Sequence, residues 1–247
     1  MKNLILIPVY NCCKKLSSLF SFLYKLDPQP DLYVFAENNS DDDTLNRVWK
    51  FKRPHEVIRL WFRKDASIIC ESPYDTIAHV RQTLLTFARN FDPDYAIFLD
   101  SDVYPKTKEL IDCLSFWGKD IVGGAYLRAF PEGLWLASKW QVPGDPKHYA
   151  LHKKVTRALD EPLMTSAGCL CLSRKIIQDK RVNFYPVRPE GASEDFGYCL
   201  QARYYGYKTY LDGTINLEHI IGKKIPKKPW TFDSIQNSYV PFYYNSA

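Results

Sequence analysis

Two segments near the N-terminus share one pattern: an uninterrupted apolar run, then a polar turn, then a stretch with helical spacing. The runs cover residues 4–7, ending at Pro8, and residues 32–36. Apolar runs without alternation are typical of strands buried on both faces of a parallel sheet. Two successive strand–helix units therefore predict an α/β fold with an open, mostly parallel central sheet flanked by helices.

The rest of the chain continues this pattern as far as about residue 125 and then becomes irregular. A stretch rich in Trp, Pro and Lys, residues 134–161, predicts loops and a hairpin. At 247 residues, one domain is expected. Further strands are predicted at residues 57–61, 95–99, 120–125, 169–172, 209–211 and 215–217, and helices at about 16–26, from 44, and at 77–90, 109–116 and 196–205.

Composition excludes some classes of protein. The net charge of +5 is a mild excess, which fits phosphate-bearing ligands or a peripheral contact with an anionic membrane, and does not predict nucleic-acid binding. The seven cysteines have no paired metal-binding spacing, so free thiols in a reducing cytoplasm are expected. Neither a leader nor a membrane-spanning run is predicted. Oligomeric state is left open.

Acidic residues follow directly after the apolar strand at residues 95–99. Asp100 and Asp102 are separated by Ser101. Ligands of open α/β sheets bind at the carboxyl ends of the strands, and paired carboxylates there suit a hard cation such as Mg²⁺ or Mn²⁺. The alternative is an ordinary solvated turn.

Three more residues near the C-terminal end are candidates for chemistry. Glu194 and Asp195 open a predicted helix after Ser193, so they either favour the helix N-terminus or act as a general base on a sugar hydroxyl. A base is expected to lie across the site from the metal-binding carboxylates. His219 follows the last strand and is either a structural residue or a nitrogen ligand of the cation.

These blocks, in this order, resemble glycosyltransferase family 2 and related enzymes of the GT-A fold. Residues 7–11 (IPVYN) are similar to the family's opening, residues 37–42 (ENNSDD) to its second turn, residues 98–102 (FLDSD) to its DxD signature, and residues 193–196 (SEDF) to its ED segment. The resemblance covers roughly residues 1–222. It implies a Rossmann-like GT-A domain with a nucleotide-sugar-binding half (1–125) and a small acceptor half (126–222).

The resemblance also implies roles for individual residues. Asp195 is the base, beside Glu194, and the metal ligands are Asp100, Asp102 and His219. Glu37 departs from the usual Asp, and we expect its carboxylate to be exposed unless the donor covers it. The residues assigned to donor binding are Pro8, Tyr10, Asn11, Glu37, Asn39, Arg81, Asp100, Ser101 and Asp102.

The predicted function is transfer of one sugar from a nucleotide-diphosphate sugar, a UDP- or GDP-sugar, to the hydroxyl of a glycan, glycoconjugate or small-molecule acceptor. It is metal-dependent and inverting. The processive QxxRW motif is absent from the sequence, which favours single transfer. Alternatives are a retaining enzyme, a GT-A protein that binds sugars without catalysis, and a nucleotidyltransferase, although residues 8–13 lack the glycine-rich loop of that class.

The C-terminal tail, residues 223–247, is basic and aromatic. Four of its lysines lie at positions 223, 224, 227 and 228, and Trp230 and Phe232 follow them. We expect it to close as a mobile lid over a bound diphosphate and exclude water. A solvated tail or a weak membrane contact is the alternative.

Overall fold

A mixed eight-stranded sheet with helices on both faces forms the centre of the protein. In the computed structural model, the residues described are 1–60, 73–130, 133–142, 145–151, 158–184, 193–215, 217–220 and 240–241. The strands are β1 (Asn3–Val9), β2 (Leu32–Glu37), β3 (His55–Arg59), β4 (Tyr95–Leu99), β5 (Val103–Pro105), β6 (Ile121–Gly124), β7 (Leu127–Phe130), β8 (Gly133–Leu136), β9 (Ser138–Val142), β10 (Asp145–Leu151), β11 (Leu159–Asp160), β12 (Met164–Thr165), β13 (Cys169–Ser173), β14 (Thr209–Asp212), β15 (Leu217–His219) and β16 (Val240–Pro241). The helices are α1 (Cys13–Leu23), α2 (Thr44–Trp49), α3 (Pro73–Phe91), α4 (Leu110–Phe116), α5 (Arg174–Gln178) and α6 (Glu194–Tyr204).

The strand order of the central sheet is β11-β14-β6-β13-β4-β1-β2-β3. The pairs β1–β2, β1–β4, β2–β3 and β6–β14 are parallel, whereas β13 runs antiparallel between β4 and β6. The carboxyl ends of the parallel strands lie at one edge of the sheet. The segment that precedes β13 reaches the same edge, because Cys169 pairs with Leu99 at the end of β4.

Alternate residues of each central strand enter two separate apolar layers. Ile5 and Ile7 of β1 pack in one layer with Leu16 and Leu19 of α1. Leu4 and Leu6 pack in the other layer, which contains side chains of α3, α5 and α6. The uninterrupted apolar runs therefore reflect burial on both faces of the sheet, as predicted.

The described residues also form three small sheets: β12-β9-β10-β16, β15-β5 and β7-β8. The predicted hairpin lies in the first of them, where β9 and β10 are antiparallel. The strand expected at residues 215–217 is instead β15, two residues later. Apart from residues 240–241, which pair with β10, the proposed lid lies outside the described residues.

Two further expectations concern cysteines and membranes. The cysteines of the described residues are free thiols, as predicted; Cys70 lies outside those residues. Within the described part of the chain, every helix is too short or too polar to cross a bilayer.

Candidate functional site

The turns that follow β1 and β2 are bound to each other at the carboxyl edge of the sheet. The Asn11 backbone N–H donates to Ser40 Oγ at 3.0 Å, and the Asp41 N–H donates to Asn11 Oδ1 at 2.8 Å. Asn11 and Asn39 have φ angles of 44° and 50°, a left-handed conformation that asparagine tolerates better than most residues. Asn11 therefore has a structural role in this turn, while its predicted contact with the donor stays a prediction.

Glu37 is buried, and the expectation that its carboxylate is exposed was wrong. The residue is 1% exposed, its Oε1 accepts the Ser40 N–H at 2.6 Å, and its Oε2 lies 3.7 Å from Arg59 Nε. The side chain points back under the turn because β2 continues through residue 37, so that the carboxylate belongs to the strand. It stabilises the turn from below.

We expect Glu37→Ala to lower the free energy of unfolding by about 1–3 kcal/mol in the absence of any donor, because the Ser40 N–H loses its acceptor. Urea denaturation measures this change. Asp41→Ala is the matched control, since it removes an exposed carboxylate from the same turn. Unchanged stability in Glu37→Ala would contradict the structural role.

Arg81 of α3 joins two of the candidate carboxylates. Its Nη2 lies 2.7 Å from Asp100 Oδ1 and its Nη1 lies 3.3 Å from Glu194 Oε1. The Arg81 residue is only 3% exposed. The guanidinium therefore links the end of β4 to the start of α6. The predicted role of Arg81 in donor binding stays a prediction.

Asp195 is held by the segment that leads into β13. Its Oδ2 accepts the Ala167 N–H at 3.2 Å, and its Oδ1 accepts the Phe196 N–H at 2.8 Å and a hydrogen bond from the Ser193 hydroxyl. The Asp100 N–H in turn donates to the Gly168 carbonyl at 2.9 Å. Asp195 and Asp100 are thus connected through two consecutive residues. The placement of Asp195 across the site from the metal-binding carboxylates stays a prediction.

Gly168 permits this close approach. A Cβ at this position would lie 2.1 Å from the Tyr126 hydroxyl oxygen and 3.2 Å from Asp100 Oδ2. The Tyr126 hydroxyl donates to Ser166 Oγ at 2.8 Å. A larger residue at position 168 would push the segment away from Asp100.

The pKa values of the two adjacent carboxylates of α6 are shifted in opposite directions. Burial, together with the charge of Asp195, raises the pKa of Glu194 to about 7 against the opposing effect of Arg81. Burial also disfavours the charged form of Asp195, but Arg81 and the hydrogen bonds from Ser193 and Ala167 outweigh it and lower the pKa. Asp195 is accordingly ionised at neutral pH, while Glu194 is the member of the pair that holds a proton more readily.

Asp102 lies beside His219 and Lys15. His219 Nε2 is 3.8 Å from Asp102 Oδ1, and Lys15 Nζ is 2.9 Å from Asp102 Oδ2. The proximity of His219 follows from the pairing of β15 with β5, in which His219 is opposite Val103. The sequence predicted Asp102 and His219 as members of one metal set together with Asp100. It did not predict Lys15, which lies far away in the chain.

The Asp102–His219 pair fits a small divalent cation. Neighbouring ligands of an octahedral cation at about 2.1 Å lie about 3 Å apart. His219 Nε2 and Asp102 Oδ1, at 3.8 Å, would therefore have to move slightly closer to bind one cation. Arg81 binds Oδ1 of Asp100, and the predicted metal-binding role of Asp100 stays a prediction. Among the described residues, no group of three or more His, Cys, Asp or Glu side chains is arranged for a metal. Water and donor phosphate would have to supply the remaining ligands.

The other predicted residues differ in accessibility. Tyr10 is 55% exposed just past β1, and Asn39 is exposed in the next turn, so both are open to a ligand. Pro8 is buried within β1, and Ser101 is half-buried between the two aspartates. Tyr10 and Asn39 are therefore more accessible than Pro8, and the predicted donor contacts of these residues stay predictions.

No family model and no curated protein sequence matches this chain. Its fold is similar to that of solved structures. TarS of S. aureus, residues 1–349, has a TM-score of 0.55 and 21% identity over 86% of this chain and 58% of that one. The same TarS fragment in complex with UDP-GlcNAc has a TM-score of 0.53 and 19% identity over 86% of this chain and 56% of that one.

A second similar structure is the mannosyltransferase PcManGT of Pyrobaculum calidifontis, in complex with GDP-Man and Mn²⁺. Its TM-score is 0.55, with 11% identity over 86% of this chain and 56% of that one. The chain spans 58% of the TarS 1–349 fragment, 35% of the longer TarS structure and 56% of the PcManGT structure. At such low identity the similarity concerns the fold, and it confirms the predicted α/β architecture of the GT-A type with a large, mainly parallel central sheet.

Proposed function

We propose that this protein is a glycosyltransferase that moves one sugar from a UDP- or GDP-sugar to an acceptor hydroxyl. The observation that supports this best is the meeting of Asp100, Asp102, Glu194 and Asp195 at the carboxyl edge of a GT-A sheet. TarS and PcManGT, which share the fold, have structures in complex with UDP-GlcNAc and GDP-Man. We also propose that residues 1–125 form the nucleotide-sugar-binding half of the domain and residues 126–222 the acceptor half.

In the proposed mechanism, one group of residues binds the donor and its diphosphate, and another acts on the acceptor hydroxyl. Tyr10 and Asn39 contact the nucleoside. Asp102 and His219 would hold a divalent cation, which would supply positive charge to the leaving diphosphate. Arg81 contacts both Asp100 and Glu194 and thereby holds the end of β4 and the start of α6 in position relative to each other.

Asp195 is proposed to accept the proton of the acceptor hydroxyl during in-line, inverting transfer. Its lowered pKa keeps Asp195 ionised at neutral pH, although the same shift makes it a weaker base than Glu194. A hydrogen bond to the Ala167 N–H orients one oxygen of the carboxylate. Because Glu194 is paired with Arg81, it is the less available proton acceptor.

Titration with a panel of UDP- and GDP-sugars in the presence of Mn²⁺, followed by mass analysis after addition of candidate acceptors, tests the proposal. Binding of a nucleotide sugar with transfer or slow hydrolysis supports an enzyme. Binding without turnover supports a non-catalytic sugar-binding protein, the alternative of another class. The anomeric configuration of the product, determined by NMR, separates inverting from retaining transfer.

Activity is expected to require Mn²⁺ or Mg²⁺, and Asp102→Asn is expected to weaken metal binding and donor binding together. The reason is that a neutral amide oxygen is a poorer ligand than a carboxylate oxygen. Calorimetric titration of Mn²⁺, and then of the donor with Mn²⁺ present, measures both affinities. Asp112→Asn, in the exposed part of α4, is the control. Full activity in excess chelator would contradict metal dependence.

A further inference from the structure

Lys15 presents its ammonium group directly to a carboxylate of the proposed metal site. It lies in the first turn of α1, and its Nζ is 2.9 Å from Asp102 Oδ2. The Tyr104 hydroxyl donates to the Lys15 carbonyl at 3.2 Å, which ties this turn of α1 to β5. The backbone that carries the ammonium group is therefore fixed relative to Asp102.

The two oxygens of Asp102 face different partners. Oδ1 faces His219 Nε2 at 3.8 Å, whereas Oδ2 binds Lys15. A divalent cation on this carboxylate would be repelled by the ammonium group, because the two positive charges would share one small anion. The Lys15 and Asp102 side chains are 39% and 29% exposed, so that the ammonium group can move into solvent and the ion pair between them is weak.

We propose that Lys15 is the counter-ion of Asp102 in the metal-free protein, and that a divalent cation binds only by displacing this ammonium group. Lys15 then sets the affinity of the site for metal. Its ammonium group pairs with the Asp102 carboxylate at low metal concentration and leaves it when the cation binds at high concentration. This inference rests on the metal site of the proposed function. It adds a residue that competes with the cation for its ligand.

Calorimetric titration of Mn²⁺ into the full-length protein, without nucleotide, tests the competition. Lys15→Met is expected to bind Mn²⁺ about two- to five-fold more tightly than the wild type, the range that corresponds to an exposed ion pair. Lys14→Met is the matched control, because it removes the same charge from the adjacent, exposed position of α1. It is expected to leave the Mn²⁺ affinity unchanged.

A double variant shows whether the expected increase in Mn²⁺ affinity depends on the Asp102 carboxylate. Lys15→Met is expected to bring no gain in Mn²⁺ affinity when it is added to Asp102→Asn. Equal affinities in the wild type, Lys15→Met and Lys14→Met would overturn the competition while leaving the metal site intact. Equal gains in both lysine variants would also overturn it, since they would reflect net charge alone.

A wrong assignment of the metal site would give a different experimental result from a wrong assignment of the competition. If the wild type binds no Mn²⁺ either alone or in the presence of UDP or GDP, or if Asp102→Asn binds it as tightly as the wild type, then the metal assignment of the proposed function is wrong and the competition is wrong with it. Thermal melting of each variant without metal verifies that the chains compared are folded.

Discussion

Arg81→Met is expected to lower the free energy of unfolding by about 3–5 kcal/mol, because removing one partner of a buried ion pair leaves the others without compensation. Arg81 is 3% exposed and lies between Asp100 and Glu194, and its charge also stabilises the ionised form of Asp195. Without the guanidinium, Asp195, Asp100 and the ionised fraction of Glu194 would lose their compensating charge, and Glu194 and Asp195 are buried. Urea denaturation measures the loss.

Two comparisons make the Arg81 prediction specific. Arg203→Met removes the same side chain from an exposed position of α6, and it is expected to change stability by less than about 0.5 kcal/mol. Adding Glu194→Gln to Arg81→Met is expected to restore part of the lost stability, since one of the unpaired carboxylates becomes neutral. If Arg81→Met is as stable as Arg203→Met, the ion pairs contribute nothing to the fold. If Arg81→Met does not fold, Arg81→Lys, which retains the charge, provides the measurable variant.

The parallel part of the fold could be predicted from the sequence because each strand has its own local signal. β1, β2 and β4 appear as uninterrupted apolar runs that end in polar turns, and the packing on both faces explains those runs. The direction of β13 could not be predicted in this way. An apolar run such as residues 169–172 looks the same in a parallel and in an antiparallel strand, and only the topology decides.

The position of β13 has consequences for the site. Because β13 is antiparallel to β4, the residues before it reach the same edge as Asp100, and Ala167 thereby contacts Asp195. A sequence motif marks the carboxylates but not the backbone groups that orient them. Gly168 was the available signal, but it is a weak one, because glycine is common in turns of every kind.

Side-chain partners were the least predictable part of the site. The sequence suggested Asp100, Asp102 and His219 as a metal set, but Arg81 binds Asp100 and Lys15 binds Asp102. Contacts between side chains far apart in the chain leave no periodic pattern. Glu37 illustrates the same limit, since its burial depends on where β2 ends and not on its residue type.

Asp195→Asn is expected to reduce sugar transfer by at least about 10²-fold, because loss of a general base typically costs 10²–10⁴-fold in rate. The structure adds a second effect. Both oxygens of Asp195 accept backbone N–H groups, from Ala167 and from Phe196, so that an amide would place its own N–H₂ group against one of these donors. The similar size of the amide alone would suggest an unperturbed fold, but this clash between donors predicts a loss of about 1–3 kcal/mol in unfolding free energy as well.

The two effects are separated by measuring the transfer rate per folded, donor-saturated molecule. Ser193→Ala is the matched control, because it removes a hydrogen bond from the same carboxylate while leaving the carboxylate in place. We expect Ser193→Ala to lose some stability and less than about ten-fold in rate, since the base is retained. If Asp195→Asn loses no more rate than Ser193→Ala at an equal folded fraction, then Asp195 is a structural residue of α6. In that case a ten-fold or greater loss in Glu194→Gln would assign the base to Glu194, and full activity in Glu194→Gln would favour a retaining mechanism that needs neither carboxylate as a base.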